Sequence, residues 1–220
     1  MALIDQLGLW CEISAADCAG RAAVFLDRDG VIIEDTGYLH RARDLRLLPG
    51  AAGAIGRCNR LGIPIVLVTN QSGIGRGYYG WSDFTALQAA LAAALAKEGA
   101  HVDAVFACAF HGEAKDAYRV ADHAWRKPNP GMIVAAGERM GLDLPRSWIV
   151  GDRAGDLAAG RAAGLEGGVL VGAAHGEGER AEALALAGGR FKVCEAPALA
   201  QALGLIDLGR APAATAAPRN

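Results

Sequence analysis

Six short runs of buried-type residues, separated by segments long enough for a helix, restrict this chain to a narrow set of architectures. They fall at 22–27, 63–69, 103–108, 147–151, 168–172 and 190–194, with Ile63-Pro64-Ile65-Val66-Leu67-Val68-Thr69 a good example. Such runs imply strands buried on both faces, and strands alternating with helices imply an α/β fold with a doubly wound, mostly parallel, Rossmann-like sheet. The clearest helix is predicted over 82–98, where Ser82 or Asp83 can cap the start and Gly99 can end it. A second is predicted over 131–140, between Pro128-Asn129-Pro130 and Gly141.

The chain has 220 residues, 52 % of them hydrophobic, enough for one substantial core. One domain is predicted over 21–208, after an N-terminal extension at 1–20 and before an Ala/Pro-rich tail at 209–220 that is expected to be disordered. There is no internal repeat. A net charge of −2 and a pI near 6.2 leave no broad basic footprint, so no nucleic-acid partner is expected. Five scattered cysteines without a Cys-x-x-Cys spacing suit a reducing compartment. No basic start precedes an apolar core and no stretch is apolar enough to span a bilayer, so a cytoplasmic monomer with no membrane partner is expected.

Asp27-Arg28-Asp29-Gly30 closes the first run. Residues i and i+2 of an extended chain share a side, so both acids can meet one ligand, and Gly30 lets the chain turn at once. Two acids this close repel unless a cation or shared proton compensates, and a divalent metal is the natural guest. Taken alone, the tetrapeptide also suits a calcium loop or an ordinary turn. Val68-Thr69-Asn70-Gln71-Ser72-Gly73 puts a hydroxyl at a strand end before polar residues that can face an anion, though such residues also make plain turns. Arg126-Lys127-Pro128 sets two cations before a helix, which a surface charge pair explains as well. Gly151-Asp152-Arg153-Ala154-Gly155-Asp156 adds an acid at a strand end and another at a helix start, where Asp156 can be a simple cap.

As an ordered set, Asp27/Asp29, Thr69, Lys127 and Asp152/Asp156 resemble the four motifs of the haloacid dehalogenase superfamily of phosphohydrolases, over about residues 22–205. The resemblance implies a fold of the haloacid dehalogenase type and phosphomonoester hydrolysis through an aspartyl-phosphate. Asp27 would be the nucleophile and Asp29 the acid and then the base. Thr69 and Lys127 would hold the phosphoryl oxygens. Mg²⁺ would be held by the Asp27 carboxylate, the Asp29 carbonyl and Asp152, an oxygen set suited to that ion. The intervals between motifs leave no room for a separate cap domain, so the entrance should be open and its loops should set specificity.

Gly37-Tyr38-Leu39-His40, Ser72-Gly73-Ile74-Gly75-Arg76-Gly77 and the segment after Arg126 are similar to the superfamily branch that removes the 7-phosphate of heptose 1,7-bisphosphate in lipopolysaccharide precursor synthesis. Histidinol-phosphate phosphatases are close relatives of that branch. In this reading the partner is a small sugar phosphate, and Asn70, Arg76, Arg126 and Arg153 meet the sugar and its remaining phosphate. The branch commonly carries a structural zinc, held by a Cys-x-His pair and a later Cys-x-Cys pair. Here Cys108 is kept, Phe110 replaces the histidine, and His123 and Trp125 replace the two cysteines. Cys108, His111, His123 and Asp122 can be weighed as an irregular zinc set. The expectation is instead that Phe110, Tyr118 and Trp125 replace the metal with an aromatic cluster. Two other readings are a polynucleotide 3′-phosphatase, which shares the Thr-Asn-Gln turn and Arg-Lys-Pro but which the acidic balance disfavours, and a non-catalytic binding protein that retains the fold.

Overall fold

The computed structural model describes residues 2–5, 7–14, 18–172 and 177–206, the side chains of 2 and 3 excepted. The tail expected at 209–220 lies outside the described residues. Eight strands among these residues form one sheet: β1 Ala2–Leu3, β2 Leu9–Ile13, β3 Val24–Leu26, β4 Ile65–Asn70, β5 Ala104–Cys108, β6 Trp148–Gly151, β7 Gly167–Val171 and β8 Lys192–Ala196. Their order across the sheet is β1-β2-β5-β4-β3-β6-β7-β8. β3 to β8 are parallel, whereas β1 and β2 pair antiparallel at one edge. Each of the six runs read from the sequence contains or overlaps one of the parallel strands.

Seven α-helices accompany the sheet among the described residues: α1 Ala51–Arg60, α2 Ser72–Gly75, α3 Trp81–Lys97, α4 Gly131–Met140, α5 Ala154–Ala162, α6 Glu177–Ala185 and α7 Leu199–Leu205. The pleat sends alternate side chains of each strand to opposite faces. Phe25, Val66, Val68 and Ile149 point into a core with α4 and α5. Val24, Leu26, Leu67 and Val150 point into a second core with α1, α3 and α7. Layers on both faces explain why the parallel strands read as unbroken apolar runs rather than as alternating ones. Of the two caps proposed for α3, Asp83 is used: its carboxylate accepts the Gly80 N–H at 2.9 Å.

The segment read as an extension before the first strand carries β1 and β2. β2 lines up along the whole of β5, with Trp10 opposite Ala107. The interval before β4 holds a long connection and α1, and the interval before β5 holds α2 and α3, with no inserted domain among the described residues. No described helix is long and apolar enough to cross a membrane.

After β5 the chain runs to β6 on the far side of β3, so the direction of winding reverses beside β3. Ligands of open α/β sheets bind outside the carboxyl ends of the strands at such a reversal. Asp27 follows β3 and Asp152 follows β6, the two strands that meet there.

Candidate active site

The carboxyl ends of β3, β4 and β6, with the turns after them, enclose a cleft of about 590 Å³. At its floor the buried Lys127 ammonium lies 2.7 Å from Asp27 Oδ1 and 2.6 Å from Asp156 Oδ1. Asp27, Asp152 and Asp156 offer carboxylate oxygens within 4.8 Å of one another, and this trio is the one such group of potential metal ligands among the described residues. Burial is the main reason the Asp27 carboxyl is pushed up to about 7; Lys127 opposes this, while Asp156, Asp29 and Asp152 reinforce it. Burial also disfavours the Lys127 ammonium, but Asp156 and Asp27 outweigh that and hold its pKa above the ordinary lysine value. The floor therefore carries more acid than its single lysine can neutralise.

Local backbone geometry makes this crowding possible. Gly30 has φ +75°, and a Cβ there would collide with the Asp152 carboxylate. Its missing side chain lets the turn after β3 lie against the end of β6. Asp156 also accepts the Arg153 N–H at 3.1 Å, so the carboxylate that holds Lys127 caps α5 as well.

Asp29 is held in a polar network of its own. Arg28, only 1 % exposed, donates from Nη2 to both Asp29 carboxylate oxygens at 2.9 and 3.1 Å and from Nε at 3.2 Å. The same guanidinium reaches Gln88 of α3 and Gln71, each at 3.3 Å, and lies over the Phe84 ring. Gln71 donates to the Thr69 hydroxyl oxygen at 2.8 Å and accepts the Tyr79 O–H at 2.7 Å. Burial pushes the Tyr79 phenol up to about 12, so it remains a donor. With its oxygen accepting from Gln71, the buried Thr69 hydroxyl keeps its own proton to donate.

Asn70, expected to meet the substrate, lines the cleft but uses both ends of its amide on the Lys127 backbone: Nδ2 donates to the Lys127 carbonyl at 3.0 Å and Oδ1 accepts the Lys127 N–H at 3.1 Å. It fastens the lysine-bearing turn to β4. Arg76, Arg126 and Arg153 all line the cleft. Arg76 pairs with Glu113 at 2.7 Å and faces the Tyr38 ring, Arg126 donates to the Phe110 carbonyl at 3.2 Å, and the more exposed Arg153 lies 3.6 Å from Asp35.

Cys108, His111, His123 and Asp122 are not brought together. Cys108 Sγ lies 4.0 Å from His123 Nδ1, but that nitrogen also accepts the Trp125 N–H at 3.1 Å. His111 lines the cleft beside Arg76, and Asp122 is bonded to Asn129. Burial pushes the Cys108 thiol up to about 11. The aromatic cluster differs from expectation in one member. Phe110 stacks on His123 at 4.2 Å and tilts against Tyr118 at 6.1 Å, whereas Trp125 packs on Phe106 at 5.8 Å. Trp125 is partly buried against the same core, on the side of Phe106.

Sequence reasoning passed over Arg28, Tyr79 and Gln88 and read Gln71 only as a turn residue. A signal was present for Arg28, because a cation between two acids at the end of a buried strand is either exposed or matched by acceptors. For Gln88 there was none, since its partner lies 60 positions away.

The HAD-hydrolase-like family model matches residues 124–195. A D-glycero-beta-D-manno-heptose-1,7-bisphosphate 7-phosphatase of Mesorhizobium japonicum is 52 % identical over 174 residues, 76 % of this chain and 78 % of that protein. A D-glycero-D-manno-heptose-1,7-bisphosphate 7-phosphatase of Thermosynechococcus vestitus is 46 % identical over 162 residues, 71 % of this chain and 82 % of its own length. The crystal structure of a D,D-heptose 1,7-bisphosphate phosphatase from B. bronchiseptica, complexed with magnesium and phosphate, superposes with a TM-score of 0.68 at 33 % identity, covering 83 % of this chain and 96 % of that one.

Proposed function

Because the chain belongs to the haloacid dehalogenase-like hydrolases, in the family of heptose-1,7-bisphosphate 7-phosphatases, we propose that it removes the 7-phosphate of D-glycero-D-manno-heptose 1,7-bisphosphate through an aspartyl-phosphate. The observation that carries this reading is Lys127, locked between Asp27 and Asp156 beneath a rim of three arginines. A phosphoryl group set on that floor meets a carboxylate and an ammonium, and the arginines remain for a second phosphate.

Asp27 attacks phosphorus while Asp29, protonated, passes its proton to the departing sugar oxygen. Asp29, now ionised, then takes a proton from water as that water attacks the phosphoaspartate, which frees phosphate and restores Asp27. Arg28 and Gln71 fix the direction of Asp29, and Thr69 and Lys127 hold phosphoryl oxygens. Asn70 is better placed to position Lys127 than to meet the sugar. Most of the protein's contribution to such a transfer is positioning and charge neutralisation.

The surplus of acid at the floor and its oxygen-only donor set fit Mg²⁺, which Asp27, Asp152 and the Asp29 backbone carbonyl would hold. When bound, the cation neutralises charge on the phosphoryl oxygens and on Asp27. A phosphate-release panel tests the whole reading: both anomers of heptose 1,7-bisphosphate, histidinol phosphate and a 3′-phosphorylated oligonucleotide, with Asp27→Asn as control. The bisphosphate should lead in kcat/KM by about a hundredfold or more, and Asp27→Asn should lose roughly a thousandfold. A leading oligonucleotide or histidinol phosphate would replace the substrate assignment, and a fully active Asp27→Asn would remove the covalent step.

A further inference from the structure

The turn between β1 and β2 is built with more care than a terminal hairpin needs. One Asp5 carboxylate oxygen accepts the N–H groups of Leu7, Gly8 and Leu9 at 3.0, 2.9 and 2.9 Å. The carbonyls of that turn then face the start of α3 and the loop that follows β5. Leu7 O accepts the Trp81 indole N–H at 2.8 Å and the Tyr118 hydroxyl at 3.2 Å, while Gly8 O accepts the Ala109 N–H at 2.8 Å. Gly8 has no positive φ, yet a Cβ there would fall 2.6 Å from the Phe110 ring, so the glycine is required by the approach of that ring rather than by its own backbone.

Phe110 is where the turn and the cleft meet. Its ring is held between Gly8, Tyr118 and His123, and its carbonyl accepts the Arg126 guanidinium at 3.2 Å. The next residue, His111, bonds through its N–H to the Tyr118 carbonyl and lies beside Arg76 in the cleft wall. We propose that the Leu7–Gly8 turn is a positioning element for this wall: by pressing on Phe110 it sets where Arg126 and His111 stand, and so sets affinity for the part of the ligand that lies away from the reacting phosphate. The proposal rests on the reading above, in which Arg126 meets the second phosphate. The described residues of this hairpin then serve the binding site although none of them lines the cleft.

Gly8→Ala tests this, because it adds one methyl group against the ring without backbone strain. Expected is a rise in KM for heptose 1,7-bisphosphate of about tenfold with kcat within about twofold, as for a binding group displaced by a fraction of an ångström. KM for heptose 7-phosphate, which lacks the second phosphate, should stay unchanged. Phe110→Leu placed on Gly8→Ala should restore much of the loss by making room for the methyl group. Asp5→Ala, an exposed change, serves as the second variant and should give a smaller rise of the same kind. Equal losses on both sugars, or an unchanged KM, would overturn the proposal. Amide hydrogen exchange of Ala109, His111 and Tyr118 gives a readout independent of substrate: protection should fall in Gly8→Ala, and unchanged protection would also overturn the proposal. If neither sugar is turned over by the wild-type protein, the functional reading fails, and exchange still decides the role of the turn.

Discussion

Arg28 shows how much one residue between two acids can do. Its guanidinium is buried, and the carboxylate of Asp29, two side-chain amides and the Phe84 ring surround it. A planar fork can satisfy such partners at once, which a lysine ammonium cannot. Arg28→Met should therefore lower kcat by about a hundredfold with KM within about twofold, since in the proposed mechanism it misdirects Asp29, while the guanidinium itself is committed to protein partners. Arg28→Lys should recover only part of this. Steady-state kinetics on protein of unchanged unfolding profile would check it, and a KM effect larger than the kcat effect would contradict it. Gly30 and Gly77 allow a cleaner comparison, with φ +75° and +77°. Alanine at either strains the backbone by about 1 kcal/mol. At Gly77 the nearest obstacle is the flexible Lys115 tip, 3.4 Å away, whereas at Gly30 it is the Asp152 carboxylate. Both variants should lose stability to urea, but only Gly30→Ala should lose activity as well.

At the scale of elements, α3 does two jobs at once. Its Phe84, Leu87 and Leu91 are buried on the sheet, while Gln88, on the same face, turns a polar end to Arg28. Its start is fastened by Asp83, so Asp83→Ala should lower unfolding stability by about 1 kcal/mol and leave kcat unchanged, a result that denaturant titration and phosphate release would check together. Elements such as this were legible because their signals are local: the helix over 131–140 and the strand run over 63–69 need only proline, glycine and a row of apolar residues. β2 was not legible. It is five residues long, contains Glu12, and owes its place to β5, almost a hundred positions later. The site divides in the same way. Asp27, Lys127, Asp152 and Asp156 stand at strand ends and turn starts, where chain order alone suggests convergence. Asn70 reads as a ligand contact from its place at the end of β4, but its bonds to a backbone 57 residues away have no local signal.

For the molecule as a whole, the acid surplus at the floor links metal, pH and stability. The Asp27 carboxyl is raised from 3.8 to about 7 by folding, chiefly through burial. A raised acid favours the folded state while it keeps its proton, so this contribution is complete below about pH 4 and is lost as pH rises through about 7. Without divalent metal, stability should fall across that window. Mg²⁺ binds the ionised floor in the folded state alone, so it should raise the unfolding temperature more at pH 8 than at pH 5. Asp27→Asn removes the titrating group. The informative quantity is the difference between the two proteins. In the metal-free state that difference should grow in favour of the variant from pH 5 to pH 8, and the variant's response to Mg²⁺ should be weaker at pH 8. Thermal unfolding of both proteins, with and without Mg²⁺ at the two pH values, measures every term. Parallel pH profiles for the two proteins would mean that the floor tolerates an ionised Asp27 without a cation, and the link between metal and stability would then be lost.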